Sequence, residues 1–199
     1  MDSGSAAITF ATEFQTKARN RLTTAFRPIL SIPHLLLVDS FTNLVSGVLG
    51  ALAGVCALLS WFAILFTGKH PRGLWDLGAM FVRWHARASA YMALLRDEYP
   101  PFGDGAYPFN VSVEYPEGAR DRLSVGLRLL YVLPHIVVLL ALLVVWLATT
   151  VIAWFAILFT GRYPEGLYGF GVGVLRWLVR VEAYALLLRD EYPPFSLGE

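Results

Sequence analysis

Four arginines form the pattern in this sequence that could most readily do chemistry. Arg83 and Arg87 lie four residues apart, and Arg176 and Arg180 repeat that spacing. On a helix, residues four apart share one face, so each pair would present two guanidinium groups side by side. Because arginine donates two parallel hydrogen bonds to a phosphate, the four residues are candidates for binding anionic lipid headgroups or another anion. The favoured interpretation is that they extend to the headgroups and seat the helix.

Two histidines form a second candidate site. His34 follows Pro33, and His135 follows Pro134, at points where a proline interrupts a helical segment. A histidine repeated at a helix break could titrate near neutral pH or bind a metal or haem, but one histidine per copy is a weak ligand set. The favoured interpretation of this polar site is a structural hydrogen bond near the membrane interface.

The acidic residues do not form a catalytic pattern. Asp97-Glu98 and Asp190-Glu191 are adjacent pairs that precede Tyr-Pro-Pro-Phe, and adjacent helical residues do not point at one another. They are predicted to be solvated helix ends. No nucleotide-binding, metalloprotease or calcium-loop spacing accompanies them. We therefore predict no catalytic residues, no enzyme activity, no metal and no cofactor.

The composition indicates that lipid surrounds these residues. Of the 199 residues, 56% are hydrophobic and 16% are charged, whereas a soluble domain is typically about 45–50% apolar and about 25% charged. The formal net charge is +1, so the charge balance does not favour nucleic acid as a partner. The expected partners are membrane lipids with anionic headgroups.

The chain contains two copies of one unit. Residues 61–102 align without a gap with residues 154–195, at an offset of 93, and 26 of these 42 pairs are identical. Upstream, Ala18–Leu22 matches Ala119–Leu123 at an offset of 101, so the first copy carries eight extra residues, around Asp39–Ser46. The predicted domains are repeat unit 1 at 8–102, a linker at 103–108 and repeat unit 2 at 109–195.

Each copy is predicted to open with the same two elements. The first is a short strand, because residues 8–10 and 109–113 alternate in polarity. The second is a segment in which arginines are spaced among Leu, Phe and Tyr, which is typical of an interfacial helix whose cations face headgroups. These arginines are Arg19, Arg21 and Arg27 in the first copy and Arg120, Arg122 and Arg128 in the second.

Two charge-free stretches follow and carry the strongest signal. Residues 44–66 and 136–159 contain no charged side chain, and each exceeds the ~20 residues that cross ~30 Å of hydrocarbon. Both are predicted to be transmembrane helices that end at a repeated Thr-Gly turn. The arginine-bearing helix comes next, at about 74–95 and 167–188, and either lies amphipathically in the interface or forms a second span.

The number of spans determines how the copies are related. One span per copy makes them inverted relative to the membrane, whereas two spans per copy make them parallel. Pairing between the two opening strands requires an even number of crossings between them, which argues for the second arrangement. Lysine and arginine are spread too evenly for the positive-inside rule to decide.

The repeated motif resembles a bacterial membrane-protein family of unknown function. Its members share a Phe-Thr-Gly-(Lys/Arg)-x-Pro turn, an arginine-bearing amphipathic helix and a Pro-Phe ending, and all three occur within residues 61–102 and 154–195. The duplicated form is similar to actinobacterial members, and single-copy proteobacterial relatives are similar to one half of the chain. The resemblance implies location in the bacterial cytoplasmic membrane and association of two units, and it implies no activity.

Together these patterns predict an all-α integral membrane protein of two tandem repeats that crosses the membrane more than once. Its predicted function is non-catalytic: a lipid-interacting protein, or a scaffold or accessory protein of a membrane complex. Another membrane protein or a further copy of the chain is the second expected kind of partner. The alternative is a small transporter or channel whose anion pathway is lined by the four arginines.

Overall fold

The computed structural model describes residues 9–11, 19–38 and 47–198, and it is mostly helical within them. The predicted insertion around Asp39–Ser46 lies outside the described residues, as does Ile8 at the start of the first predicted strand. The elements in chain order are β1 (Thr9–Ala11), α1 (Arg21–Ala25), α2 (Arg27–Leu30), α3 (Ile32–Val38), α4 (Val48–Thr67), α5 (Arg72–Met92), β2 (Asn110–Ser112), α6 (Arg122–Gly126), α7 (Arg128–Thr160) and α8 (Glu165–Ala185).

Local sequence signals set where the helices begin and end. The side chains of Asn20 and Asp121 accept hydrogen bonds from backbone N–H groups in the first turns of α1 and α6, which would otherwise lack a partner. α4 and α7 end at Gly68 and Gly161, whose φ angles of 74° and 71° favour glycine. The chain reverses at these two turns, so α5 packs on α4 and α8 packs on α7.

Two of the described helices, α4 and α7, are long and apolar enough to cross a membrane. α4 has 20 residues and α7 has 33, and α7 continues through Pro134. Only a narrow stripe of each helix is buried, and large apolar side chains cover much of the rest. The two charge-free stretches of the sequence therefore correspond to helices, although α7 begins before its predicted start.

The arginine-bearing helices α5 and α8 are the inner helices of the protein. Most residues of α5 after Trp75 and of α8 after Tyr168 are buried, and the two helices pack on each other. The rest of the chain therefore surrounds most of each helix. The predicted interfacial helix is divided into α1–α3 in the first repeat and into α6 and the start of α7 in the second.

Both repeats contain the predicted opening strand, and the two strands pair with each other. β1 and β2 are antiparallel, with Phe10 opposite Val111. These two residues are equivalent at the offset of 101. An approximate two-fold axis therefore passes through the centre of this ribbon, as it would through the interface of a symmetric dimer.

The same two-fold relation governs the contacts between the repeats. Four hydrogen bonds between the repeats form two reciprocal pairs, in which equivalent residues exchange roles. These reciprocal bonds are Arg19 N to Gly161 O (2.8 Å), Arg120 N to Gly68 O (2.9 Å), Trp61 Nε1 to Val125 O (3.0 Å) and Trp154 Nε1 to Thr24 O (2.8 Å). The chain therefore resembles a dimer whose two protomers are fused.

Equivalent helices of the two repeats run antiparallel. Gly78, early in α5, lies against Leu188, beyond the end of α8, and Gly171, early in α8, lies against Leu95, beyond the end of α5. Trp61, near the end of α4, bonds to the residues that precede α7. The two-fold axis is therefore perpendicular to these helices. This differs from the arrangement with two spans per copy, in which equivalent helices would run parallel.

Close packing of α8 at Gly171 provides a test of this arrangement. A Cβ atom there would lie 2.9 Å from Nε1 of Trp146 and 3.2 Å from Cδ2 of Leu95. Because both neighbours are in the core, Gly171→Ala is expected to lower the free energy of unfolding by about 1–3 kcal/mol. Thermal unfolding of the purified protein in detergent measures this loss.

A matched control lies two residues earlier on the same helix. Gly169 faces open space, so Gly169→Ala is expected to be neutral or to stabilise the protein by about 0.5–1 kcal/mol. Equal changes in melting temperature for the two variants would contradict the packing of α8 described above.

Candidate functional site

The predicted arginine pair of the first repeat is bonded within the protein. Arg83 donates two hydrogen bonds of 2.8 Å to the carboxylate of Asp104, and the bond from Arg83 lowers the pKa of this carboxyl group. Arg87 donates to the backbone oxygen of Gly103 (2.9 Å) and to Oδ1 of Asn110 (2.8 Å). The two guanidinium groups therefore connect α5 to the linker, and Arg87 also connects it to β2.

The arginine pair of the second repeat lies on the equivalent face of α8. Arg180 donates to the backbone oxygens of Ser196 (2.6 Å) and Gly198 (3.0 Å), and Arg176 is half-buried one turn earlier. Three of the four arginines thus connect an inner helix to the segment that covers it. Binding of a phosphate by them stays a prediction, and it would require these bonds to be exchanged.

The first repeat contains a buried cluster that the sequence did not predict. Arg19 and Arg27 are 3% and 2% exposed, and both donate to Asp97: Nε of Arg19 and Nη2 of Arg27 each lie 3.0 Å from Oδ1. The prediction that these two arginines face headgroups is wrong, whereas Arg21 is exposed. Asp97 is not a solvated helix end either, since its side chain is 17% exposed. We call Arg19, Arg27 and Asp97 the first clamp.

The first clamp also completes the C-terminal end of α5. Leu94 has a φ of 61°, a left-handed conformation that turns the chain after the helix but is rare for a residue other than glycine. Nη1 of Arg27 donates to the backbone oxygens of Tyr91 (3.0 Å) and Arg96 (2.7 Å), and Arg19 donates to that of Leu94. The backbone oxygens of Leu94 and Arg96 lie beyond the helix, so the arginines give these buried acceptors a partner. At Tyr91 the bond from Arg27 adds to the one that its oxygen accepts from the Leu94 N–H (3.1 Å).

The second repeat has an equivalent second clamp, formed by Arg120, Arg128 and Asp190. Nε of Arg120 lies 2.6 Å from Oδ2 of Asp190, and Nη2 of Arg128 lies 2.8 Å from Oδ1. Arg128 also donates to the backbone oxygen of Tyr184 (3.0 Å), at the end of α8. Burial of Asp190 opposes its ionisation, but the hydrogen bonds and charges of the two arginines outweigh it and lower its pKa. The two clamps join α2 to α5 and α7 to α8.

Removing a clamp carboxylate is expected to destabilise the fold. Asp97→Asn leaves two buried guanidinium groups without a counter-charge, and breaking a buried pair costs about 3–5 kcal/mol. Asp190→Asn should cost less, about 2 kcal/mol, because the Asp190 side chain is 35% exposed and solvent screens the pair. Chemical or thermal unfolding in detergent measures both losses.

The neighbouring glutamates are matched controls for the clamp variants. Glu98 and Glu191 are bonded to Arg96 and Arg189 but are 44% and 55% exposed. Glu98→Gln and Glu191→Gln should therefore change stability by less than about 1 kcal/mol. If either glutamate variant destabilised the protein as much as the aspartate variants, the clamps would not have the role assigned here.

Each predicted histidine is enclosed by aromatic side chains. Nδ1 of His34 accepts a hydrogen bond from Nε1 of Trp84 (3.2 Å), and the imidazole stacks on Phe102 with ring centroids 4.9 Å apart. Burial lowers the pKa of His34. His135 is 0% exposed and accepts the equivalent bond from Trp177 (3.2 Å). These contacts match a structural hydrogen bond, with Nδ1 occupied in both repeats.

A third buried histidine, His70, has no histidine counterpart in the second repeat. Its Nε2 lies 2.9 Å from Oγ of Ser60, and its Nδ1 lies 3.3 Å from a guanidinium nitrogen of Arg120. Since that guanidinium is a donor, Nδ1 must accept, and the neutral imidazole fits the site. Burial, followed by the charge of Arg120, lowers the pKa of His70 to about 4, although Asp190 acts in the opposite direction.

His70 is expected to make stability depend on pH. The unfolded chain binds a proton at this histidine below a pH of about 6.5, whereas the folded protein does so only below about 4. The contribution of His70 is therefore fully present above pH 6.5 and is lost as the pH falls towards 4, by about 1.4 kcal/mol per pH unit.

The variant His70→Gln separates this effect from other pH dependence. Between pH 6.5 and 4, the slope of the unfolding free energy against pH should be smaller in the variant. The difference should correspond to about one bound proton, or about 1.4 kcal/mol per pH unit. Melting curves of the two proteins in detergent at a series of pH values measure the slopes. Parallel curves for wild type and variant would show that His70 is protonated equally in the folded and unfolded states.

One buried ionisable pair breaks the symmetry between α5 and α8. Nδ1 of His85 lies 2.7 Å from Oε1 of Glu182, and their side chains are 1% and 12% exposed. The equivalent positions hold Leu178 and Ser89, so the pair occurs once. In residues 19–38 and 47–198, no three His, Cys, Asp or Glu side chains gather closely enough to hold a metal ion.

The outer helices enclose a cavity and present an apolar surface. A cavity of about 520 Å³ lies between α2–α3 and α7, and its wall includes Leu35, Val151, Trp154 and Phe155. Most of the exposed large apolar side chains form the surface of α1–α4, α6 and α7, and the exceptions are Leu77, Tyr99, Phe102, Tyr192 and Phe195. We call this surface the apolar face. Few groups on the apolar face can form hydrogen bonds.

The fold and the two clamps define a class of protein: a mostly helical tandem duplication whose halves pack around an approximate two-fold axis. The chain belongs to the family described as a domain of unknown function, DUF4389, whose model matches it twice, at residues 21–103 and 122–196. Each match covers one repeat. No curated protein and no solved structure matches the chain.

Proposed function

We propose that the protein is a non-catalytic, lipid-embedded component of a bacterial plasma membrane that interacts with lipids or supports a membrane complex. The observation that carries the proposal is the apolar face. Phe66 and Phe159, which are equivalent residues, are 79% and 76% exposed, and Val48 and Val144 are 64% and 70% exposed. Soluble monomers rarely expose contiguous apolar patches larger than a few hundred Å². Hydrocarbon would cover the apolar face at no cost.

Two further observations support lipid as the partner. The cavity between α2–α3 and α7 opens among exposed apolar residues of the same face, including Val151 and Phe155, so an acyl chain can enter it from the surrounding lipid. The repeated motif also resembles a bacterial membrane-protein family. Another membrane protein, or a second copy of the chain, would cover part of the same face in a complex.

The contacts of the arginines do not favour the alternative, a transporter with an arginine-lined anion pathway. Arg83, Arg87 and Arg180 donate hydrogen bonds to groups of the same chain, which leaves fewer donors for a passing anion. The alternative predicts that purified protein in liposomes carries anion flux and that arginine-to-glutamine variants abolish it. Under the proposed function, liposomes that contain the protein should show the same anion flux as liposomes without it.

The proposal is tested by extraction and by charge insertion. Membranes that contain the protein, washed with alkaline carbonate, should retain it. Val55→Glu combined with Val144→Glu should lower the retained fraction several-fold, because each carboxylate in hydrocarbon costs about 2.5–3.5 kcal/mol. Both valines are exposed on the apolar face.

The control places the same charges outside the apolar face. Ala106 and Ala119 are exposed in loop segments, so Ala106→Glu combined with Ala119→Glu should leave retention unchanged. If the wild-type protein were monodisperse in buffer without detergent or lipid, the proposed function would be wrong.

A further inference from the structure

The exposed surface of the described residues divides into two parts. One is the apolar face. The other is polar and consists of the linker, β2 and the exposed stripes of α5 and α8, where Asp76, Asp104, Glu114 and Glu117 lie. The two-fold rotation exchanges the repeats and so maps each part approximately onto itself. The polar part is centred on the axis, because it contains the β1–β2 ribbon, in which equivalent residues pair.

The position of the ribbon shows which way the polar part points. The axis passes between Phe10 and Val111 of the β1–β2 ribbon, and β2 packs on α5 through the bond from Arg87 to Asn110. The ribbon therefore covers the middle of the inner helices. Phe81, on the opposite side of α5 from Arg83, lines a cavity together with Gly54 of α4 and Leu139 of α7. A polar surface therefore occurs at mid-length of the helix layer, on the side away from the apolar face.

This arrangement disfavours an upright orientation in the bilayer. If α4 and α7 crossed the membrane, the axis would lie in the membrane plane, and the ribbon would lie at the depth of the bilayer centre. The ion pair between Arg83 and Asp104 and the exposed carboxylate of Glu114 would then contact hydrocarbon. Each such charge costs about 2.5–3.5 kcal/mol at the bilayer centre.

The length of α7 gives an independent argument. Its 33 residues make a helix of about 50 Å, whereas the hydrocarbon core is about 30 Å thick. Upright, about 20 Å of an apolar helix would extend beyond the hydrocarbon or require a steep tilt. Lying flat, the whole helix can contact lipid along its exposed side.

We propose that the protein is monotopic: the two-fold axis lies along the membrane normal, and α4 and α7 lie in the plane of one leaflet. The inference rests on the proposed function, and it specifies the partner as a single lipid leaflet. The apolar face is immersed in the leaflet, and the linker, the ribbon and the polar stripes of α5 and α8 face water. Zero crossings separate β1 from β2, which is consistent with their pairing.

The cations at the two ends of the apolar face fit this orientation. Arg122 packs over Gly68 at the end of α4, beside Lys69, and Arg21 packs over Gly161 at the end of α7, beside Arg162. These four residues form the cationic rim, and all of them are exposed. In a flat orientation both ends of the rim lie at headgroup level in the same leaflet. Anionic headgroups are therefore the complementary partner.

Labelling from one side of the membrane tests the inference. Single cysteines are placed at Lys69, Arg162 and Glu117 in a Cys56→Ala background and exposed to a membrane-impermeant maleimide in sealed vesicles of each orientation. All three positions are exposed in the structure. The monotopic arrangement predicts that all three react from the same side.

Each other outcome overturns a specific part of the account. Reaction of Lys69→Cys and Arg162→Cys from opposite sides would establish inverted spans and overturn the inference while leaving the proposed function intact. Reaction of these two from one side and of Glu117→Cys from the other would establish two spans per repeat, with the same consequence. Release of the protein from the membrane by carbonate would overturn the proposed function itself.

A charge-neutralising pair tests the partner of the cationic rim. Lys69→Gln combined with Arg162→Gln should weaken the preference for anionic over zwitterionic vesicles, measured by partition from detergent micelles, by about fivefold per residue. Arg83→Gln combined with Arg176→Gln removes the same charge from the polar part and should leave the preference unchanged. If only the Arg83→Gln and Arg176→Gln pair weakened the preference, the headgroups would bind the arginines of α5 and α8 and not the cationic rim.

Discussion

Two buried arginines around one carboxylate hold each repeat together. In the first clamp both guanidinium groups come from the segment before the long apolar helix, and in the second clamp they come from that segment and from Arg128, the first residue of α7. In both clamps the carboxylate comes from the residues that follow the inner helix. Arg27 contacts Tyr91 with its charge 3.9 Å from the ring centroid, and Arg128 contacts Tyr184 at 4.0 Å. The clamps therefore fix the outer, apolar layer on the inner helices by charge, hydrogen bonds and aromatic contact together. They also add a donor to the backbone oxygens of Tyr91 and Tyr184, at the ends of α5 and α8.

The clamps also explain how α4 and α7 keep a defined position, although these helices are apolar both where they pack on the inner helices and where they are exposed. An apolar helix gains little by packing in lipid, because lipid is as apolar as its neighbours. A directional polar contact is needed to set its position. The reciprocal bonds between the repeats, such as Trp61 to Val125 and Trp154 to Thr24, have the same role across the two-fold axis. The His85–Glu182 pair, which occurs once, makes the two sides of the axis chemically different.

The sequence predicted the elements well and their environments poorly. The duplication, the Thr-Gly turns and the two opening strands are visible as local patterns, and the structure contains all of them. Burial of Arg19 could not be found in this way, because its partner Asp97 is 78 residues away. Spaced arginines among apolar residues give the same pattern whether they face headgroups or a distant carboxylate. A signal was present in the repetition itself: Arg19, Arg27 and Asp97 all recur in the second repeat at equivalent positions.

The proposed orientation of the long helices relative to the membrane was the feature least accessible from the sequence. Length and hydropathy are the same for a helix that crosses a bilayer and for one that lies within a leaflet as part of a larger apolar face, so residues 44–66 and 136–159 were predicted to span. Only the direction of the two-fold axis, together with the position of the polar ribbon, separates the two cases. Oriented circular dichroism of the protein in aligned bilayers measures this direction, because the long-wavelength helix band depends on the angle between helix and membrane normal. The expected spectrum is that of helices parallel to the membrane plane, and a spectrum of helices along the normal would contradict the monotopic arrangement.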